Sequence, residues 1–140
     1  MREEPEGPEL QLLQPGGWLP PKGYANGVAA RGRVVFVAGQ IGWDPATGEF
    51  TSDNLAAQTR QALANVMAVL RAAGAEPRHV VRLTWFITDR RAYLDAQREI
   101  GRVYRGVFGR HFPAMSVVVV AGLLEERALV EIEATAVVPD

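Results

Sequence analysis

The stretch Arg33-Val34-Val35-Phe36-Val37-Ala38 reads as a β-strand, rich in β-branched and aromatic residues and apolar at every position from Val34 to Val37. Successive side chains of a strand point to opposite faces of its sheet, so a sheet with one face in water alternates apolar with polar residues. This stretch does not alternate, and neither does Val117-Val118-Val119-Val120. Both faces of these strands therefore call for burial.

Working outward, a weak strand begins at Val28 and turns at Arg31-Gly32, which predicts a β-hairpin over residues 28–38. Asp44-Pro45-Ala46-Thr47-Gly48 carries turn chemistry, with proline fixing φ and glycine permitting positive φ. A helix is predicted over residues 54–73, with Asp53 as N-cap, Gly74 at its end and Pro77 just beyond. Leu55, Thr59, Ala62, Leu63, Val66, Met67 and Leu70 recur at helical spacing and form one apolar stripe. Residues 80–88 read as a strand. Asp89 caps a second helix over 91–108, with Tyr93, Ile100, Tyr104, Val107 and Phe108 as its stripe and Gly109 at its end. Strands over 115–121 and 128–137 complete the order ββαβαββ.

Two helices cover one face of such a sheet. The chain predicts no third helix for the other face, and the simplest cover is another copy of the same protein. The fold class is α+β, and the protein is expected to work as an oligomer.

In the last strand Val130, Ile132, Ala134 and Ala136 fall on one face, and Leu129, Glu131, Glu133 and Thr135 on the other. With the apolar face on the helices, two carboxylates point toward the uncovered side. Carboxylates there are either near an edge in solvent, or hydrogen-bonded, or used.

The 140 residues suit one domain, with a flexible arm over 1–17 and a single domain over 18–140. Fifteen basic residues stand against 16 acidic ones, a net charge of −1, which gives no basic excess for nucleic acid. There is no cysteine, so disulfides, thiolate nucleophiles and cysteine-ligated zinc are excluded, and a cytoplasmic location fits. The first residues lack the basic start and apolar run of a signal peptide, and no stretch nears the roughly 20 apolar residues of a membrane span. No Gly-rich phosphate loop or dinucleotide fingerprint occurs. His79 and His111 lie in separate segments without ligands at metal spacing, so no metal is expected; His79 reads as a solvated loop residue and His111 as structural. Ser116 has no histidine nearby in sequence to make it a nucleophile. Arg31, Arg33, Arg90 and Arg91 read as solvated surface charges.

Several short motifs, in their order and spacing, resemble the RidA (YjgF-type) family: Gly39-Gln40-Ile41-Gly42, Asp44-Pro45-Ala46-Thr47-Gly48, Gln58 leading into Leu63-Ala64-Asn65-Val66, Ala72-Ala73-Gly74-Ala75, Phe112-Pro113-Ala114, and Leu129-Val130-Glu131-Ile132-Glu133-Ala134. The resemblance covers about residues 24–138. It implies the fold of the trimeric chorismate mutase, a mixed sheet with two helices on one face. It further implies a homotrimer with ligand clefts between subunits, and hydrolysis of 2-imino acids or enamines without metal or cofactor. By the same resemblance, Tyr24 lines the cleft, Gly39 belongs to its cradle, and Glu131 positions a water for attack on the imine carbon. The chain departs from the family pattern at Ala38, where serine is usual, and at Gly101, where asparagine is common. It departs most at Met115, beside Ser116, where the family carries the arginine that grips the substrate carboxylate. Met115 and Ser116 are thus the expected substrate-binding positions, with a changed substrate class. Two readings stand: a hydrolase or deaminase of a small imine, enamine or related carbonyl compound, and a non-catalytic ligand-binding or chaperone-like trimer. A ribonuclease or translation-inhibitor role, attached to some relatives, is disfavoured by the neutral charge.

Overall fold

The computed structural model describes residues 10–140. Strands β1 (Leu10–Leu13), β2 (Gly27–Ala30), β3 (Arg33–Ile41), β4 (Trp43–Asp44) and β5 (Glu49–Phe50) precede helix α1 (Leu55–Ala72). A single 3-10 turn, Pro77–His79, leads into β6 (Val80–Ile87), and α2 (Arg90–Asp95), α3 (Gln97–Phe108), β7 (Ala114–Val119) and β8 (Val130–Val138) follow. The main sheet has the order β3-β8-β6-β7; only the β6–β7 pair is parallel, so the sheet is mixed. The α+β class expected from the sequence is the observed one.

One face of the sheet is sealed. Val130, Ile132, Ala134 and Ala136 of β8, with Leu83, Trp85 and Ile87 of β6, pack beneath α1 and α3. The full predicted stripe of α1, from Leu55 to Leu70, is buried, as are Ile100, Tyr104 and Phe108 of α3. Tyr104 stacks on Phe108 and Phe112 at centroid distances of 4.9 and 5.5 Å, and its hydroxyl donates to the His111 carbonyl at 2.6 Å. Burial pushes the Tyr104 phenol well above the ordinary tyrosine range.

Gln58 ties this layer to the last strand. Its Nε2 donates to the carbonyls of Ser52 (2.9 Å) and Arg127 (3.0 Å), and its Oε1 accepts from the Leu129 amide at 2.8 Å. A Cβ at Gly42 would lie 2.5 Å from the Gln58 Cβ, so only glycine lets the chain leaving β3 pass this close to α1.

Several local expectations are corrected. The hairpin over 28–38 does not form: β2 pairs with β1, and β3 pairs with β8, because β3 finds a nine-residue partner there and β2 is only four residues long. Leu10–Leu13, expected in a flexible arm, is strand β1, antiparallel to β2; residues 1–9 of that arm lie outside the described residues. Asn54 rather than Asp53 caps α1, accepting from the Ala57 amide, while Asp53 receives the Arg127 guanidinium at 2.8 Å. The second helix breaks at Ala96 into α2 and α3, with Asp89 capping α2 as expected. His79 is not solvated; it is buried, and its Nδ1 accepts from the Glu76 amide at 3.0 Å. His111 is structural, with Nε2 2.7 Å from the Val80 carbonyl.

Gln58→Leu keeps the volume but orphans the part-buried Leu129 amide and two carbonyls. An unsatisfied buried group costs about 1–3 kcal/mol, and since water reaches part of this site we expect a total loss of roughly 1–3 kcal/mol in chemical denaturation. A loss below about 1 kcal/mol would show that water replaces all three bonds.

Candidate functional site

The face of the sheet away from the helices is bare. Val34 and Phe36 of β3 stand 50% and 78% exposed there, and Val118 of β7 is 43% exposed. β7 is the sheet edge, so one of its hydrogen-bonding sides is unpaired, and Val117 to Val119 are exposed.

Glu131 projects onto this bare face, as its alternation with buried Val130 and Ile132 requires. It is directly opposite Ile41 of β3 on one side and Phe86 of β6 on the other. Beside it the β3–β8 ladder slips between Val37 and Gln40, a bulge that carries Gly39. The Glu131 side chain lies over that glycine: a Cβ at Gly39 would meet the Glu131 Cδ at 2.7 Å and Oε1 at 3.1 Å. Gly39 and Glu131, both singled out in the sequence, are thus in contact. The carboxylate accepts no hydrogen bond and makes no ion pair among the described residues.

The remaining expected residues gather elsewhere. The Ala25 amide donates to the Pro113 carbonyl at 2.9 Å, and Ala25 bridges Ala114, which sets Tyr24 against the start of β7, 41% exposed. Met115 pairs with Leu83 and shares the helix-side face with it, packing partly on the core. Ser116 pairs with Thr84 and points to the bare face, exposed. Met115 is thus two strands and three residues from Glu131 and on the opposite face of the sheet, which at roughly 4.8 Å per strand and 3.3 Å per residue exceeds 10 Å. The expected residues thus fall into two groups in one chain: Gly39 in contact with Glu131, and Tyr24, Met115 and Ser116 around the start of β7.

Sequence reasoning passed over Arg82 and Thr84. They line a shallow groove of about 400 Å³ on the bare face with Phe36, Glu133 and Thr135. Arg82 sits in a strand that otherwise reads as apolar, and the signal that could have found it is its parity with Thr84 and Phe86 rather than with Leu83 and Trp85. Among the described residues no group of three or more His, Asp or Glu could hold a metal, and no helix is long and apolar enough to cross a membrane.

Residues 19–138 match the family described as Endoribonuclease L-PSP. The chain belongs to that family, the RidA or YjgF family. A RutC family protein of Sinorhizobium fredii is 43% identical over 103 residues, 74% of this chain and 78% of its own length. A human 2-iminobutanoate/2-iminopropanoate deaminase is 33% identical over 105 residues, 75% of this chain and 73% of its own. The crystal structure of the Rid-family protein YyfB from Yersinia pestis, of unknown function, superposes with a TM-score of 0.82 at 33% identity, covering 93% of this chain and 99% of that one. The RidA family therefore supplies the chorismate mutase-like fold described above, and imine deamination is an activity found within it.

Gly39→Ala leaves the strand in place and evicts the Glu131 carboxylate, which can rotate away. A crystal structure of the variant is expected to show Glu131 in a new rotamer, with a stability change of no more than about 1 kcal/mol, below the usual cost of overpacking a core. An unmoved carboxylate would show that the backbone at the bulge shifts instead.

Proposed function

We propose that this protein hydrolyses a small imine, enamine or related carbonyl compound in a cleft between subunits of a homotrimer, without a cofactor. The observation that carries this reading is the Glu131 carboxylate, held over Gly39 with no partner of its own. A carboxylate so placed is available to accept a proton from water. The water oxygen attacks the carbon of the protonated C=N bond, Glu131 takes the water's proton, and the π pair moves to nitrogen, giving a neutral carbinolamine. Glu131 then returns that proton to the amine nitrogen, the hydroxyl proton passes to solvent as the C=O bond forms, and the C–N bond breaks to release ammonia and the carbonyl product. Family membership and the deaminase relative support this chemistry.

The cleft needs more than one copy because Tyr24 and Met115 lie at the free edge, away from Glu131. The bare apolar face gives the copies a reason to associate. In such an assembly the edge strand of one copy brings Tyr24, Met115 and Ser116 to the Gly39–Glu131 half-site of its neighbour.

Met115 sets the substrate class. A thioether offers no hydrogen-bond donor and makes its end of the cleft apolar and adaptable. A substrate carboxylate there has no charged partner from this position, a deficit of about tenfold to hundredfold in kcat/KM. The favoured substrate is uncharged or aromatic at that end.

The test generates 2-iminobutanoate or 2-iminopropanoate in situ and follows keto-acid release. We expect slow or undetectable turnover by the native protein, a gain of tenfold or more in Met115→Arg, and loss of that gain in Met115→Arg/Glu131→Gln. Native turnover matching that of the human deaminase would reject Met115 as a barrier to carboxylates, and full activity in the Glu131→Gln background would reject Glu131 as the base.

A further inference from the structure

We propose, on the reading of the cleft given above, that Arg105 folded back over Gly101 is the cation of the cleft. The substrate then carries its anionic group several bonds from the reacting carbon, at the end of an apolar stretch. A Cβ at Gly101 would lie 3.1 Å from Nη1 of Arg105 and 3.9 Å from its Cζ, so the guanidinium takes the space that a side chain at 101 would fill. Arg105 makes no hydrogen bond or ion pair among the described residues, whereas Arg33, Arg78, Arg91 and Arg127 are each engaged. A charge thus lies along its own helix with no counter-charge.

Packing fixes the side of α3 on which this charge lies. Val103 and Glu99 face α1, where they line one hollow with Ala56, Ala57 and Arg60. Gly101 is two residues from Val103, about 200° round the helix, so it faces away from α1 and overhangs the edge strand β7. β6 and β7 are parallel, so α3, which connects them, runs antiparallel to both. The Tyr104 ring lies 6.4 Å from that of Trp85, and Trp85 is directly opposite Val117. Arg105 reaches from the next position back toward the helix N-terminus, which carries its guanidinium to the level of Val117 or beyond.

Beneath it is an apolar strip. Met115, Val117 and Val119 share the helix-side face of β7, and α3 leaves Val117 39% and Val119 50% exposed. Val117 is about 6–7 Å along the strand from Met115. A carboxylate bonded to the reacting carbon would lie against Met115, where no charge answers it. A carboxylate carried further by methylene groups or a ring keeps the apolar part on Met115 and Val117 and meets Arg105, whose planar fork takes a carboxylate through two N–H bonds. An uncharged ligand gains the apolar contact alone.

The experiment measures binding rather than turnover. Hexanoate and hexanol are titrated into the full-length protein carrying isotope-labelled methionine methyl groups, and the methyl resonances are followed by NMR. Both ligands are expected to shift the Met115 methyl and to leave that of Met67, buried in the core, unmoved. Hexanoate should bind roughly fivefold or more tighter than hexanol. Arg105→Gln should bring hexanoate down to the affinity of hexanol and leave hexanol unchanged. Gly101→Asn, which keeps the charge but fills its place, should weaken hexanoate in the same way. Arg102→Gln, on the α1 side of the helix, should bind both ligands as the native protein does. Equal hexanoate affinity in the native protein and in Arg105→Gln would overturn the inference, as would a hexanoate titration that leaves Met115 unmoved. Hexanoate binding that requires Arg105, in a protein that hydrolyses no imine, would instead reject the proposed hydrolysis and keep the ligand class.

Discussion

Every other feature of this molecule depends on the alternation along β8. Val130, Ile132, Ala134 and Ala136 enter the core beneath α1, while Glu131, Glu133 and Thr135 are directed to the opposite side. β8 is a central strand, hydrogen-bonded to β3 on one side and β6 on the other, so its parity imposes the parity of both neighbours. Gln58 anchors the start of that strand to α1 through the Leu129 amide. With β8 held in this register, the carboxylates can only face the uncovered side.

The uncovered side joins two demands that one chain does not meet. Phe36, Val34 and Val118 are apolar surface in water, which favours association. Arg82, Glu131 and Glu133 on the same side are charges that resist burial unless matched. Any surface that covered this side would have to answer those charges as well as the apolar residues. The division of the expected site into a Gly39–Glu131 half and a Tyr24–Met115 half follows from the strand order, with β6 lying between them.

The Gly39–Glu131 contact shows how a local irregularity positions a side chain. A bulge between Val37 and Gln40 releases two residues from the ladder. The missing side chain at Gly39 then gives the Glu131 carboxylate a place against the backbone, where Cδ would come within 2.7 Å of any Cβ. Met115 contributes in the opposite sense. It lies in the edge strand, partly packed against the core on the opposite face, and carries no charge.

The sequence by itself determined what is written in periodicity and local chemistry. The stripe from Leu55 to Leu70, the positive-φ glycine after α1 and the split of the last strand into buried and outward residues were legible because each depends on neighbours within a few positions. The motifs around Gly39, Gln58 and Glu131 carried the family by their spacing alone. Tertiary structure decided what depends on residues far apart in the chain. It paired β2 with β1 and β3 with β8, because a hydrogen-bonding edge does not reveal its partner in its own sequence. It buried His79 through the Glu76 amide, and it joined Arg82 to Glu133 across one groove from positions 51 residues apart. It also placed Met115 and Glu131 on opposite faces, since a side chain's face is set by the register of the whole sheet and not by its nearest neighbours.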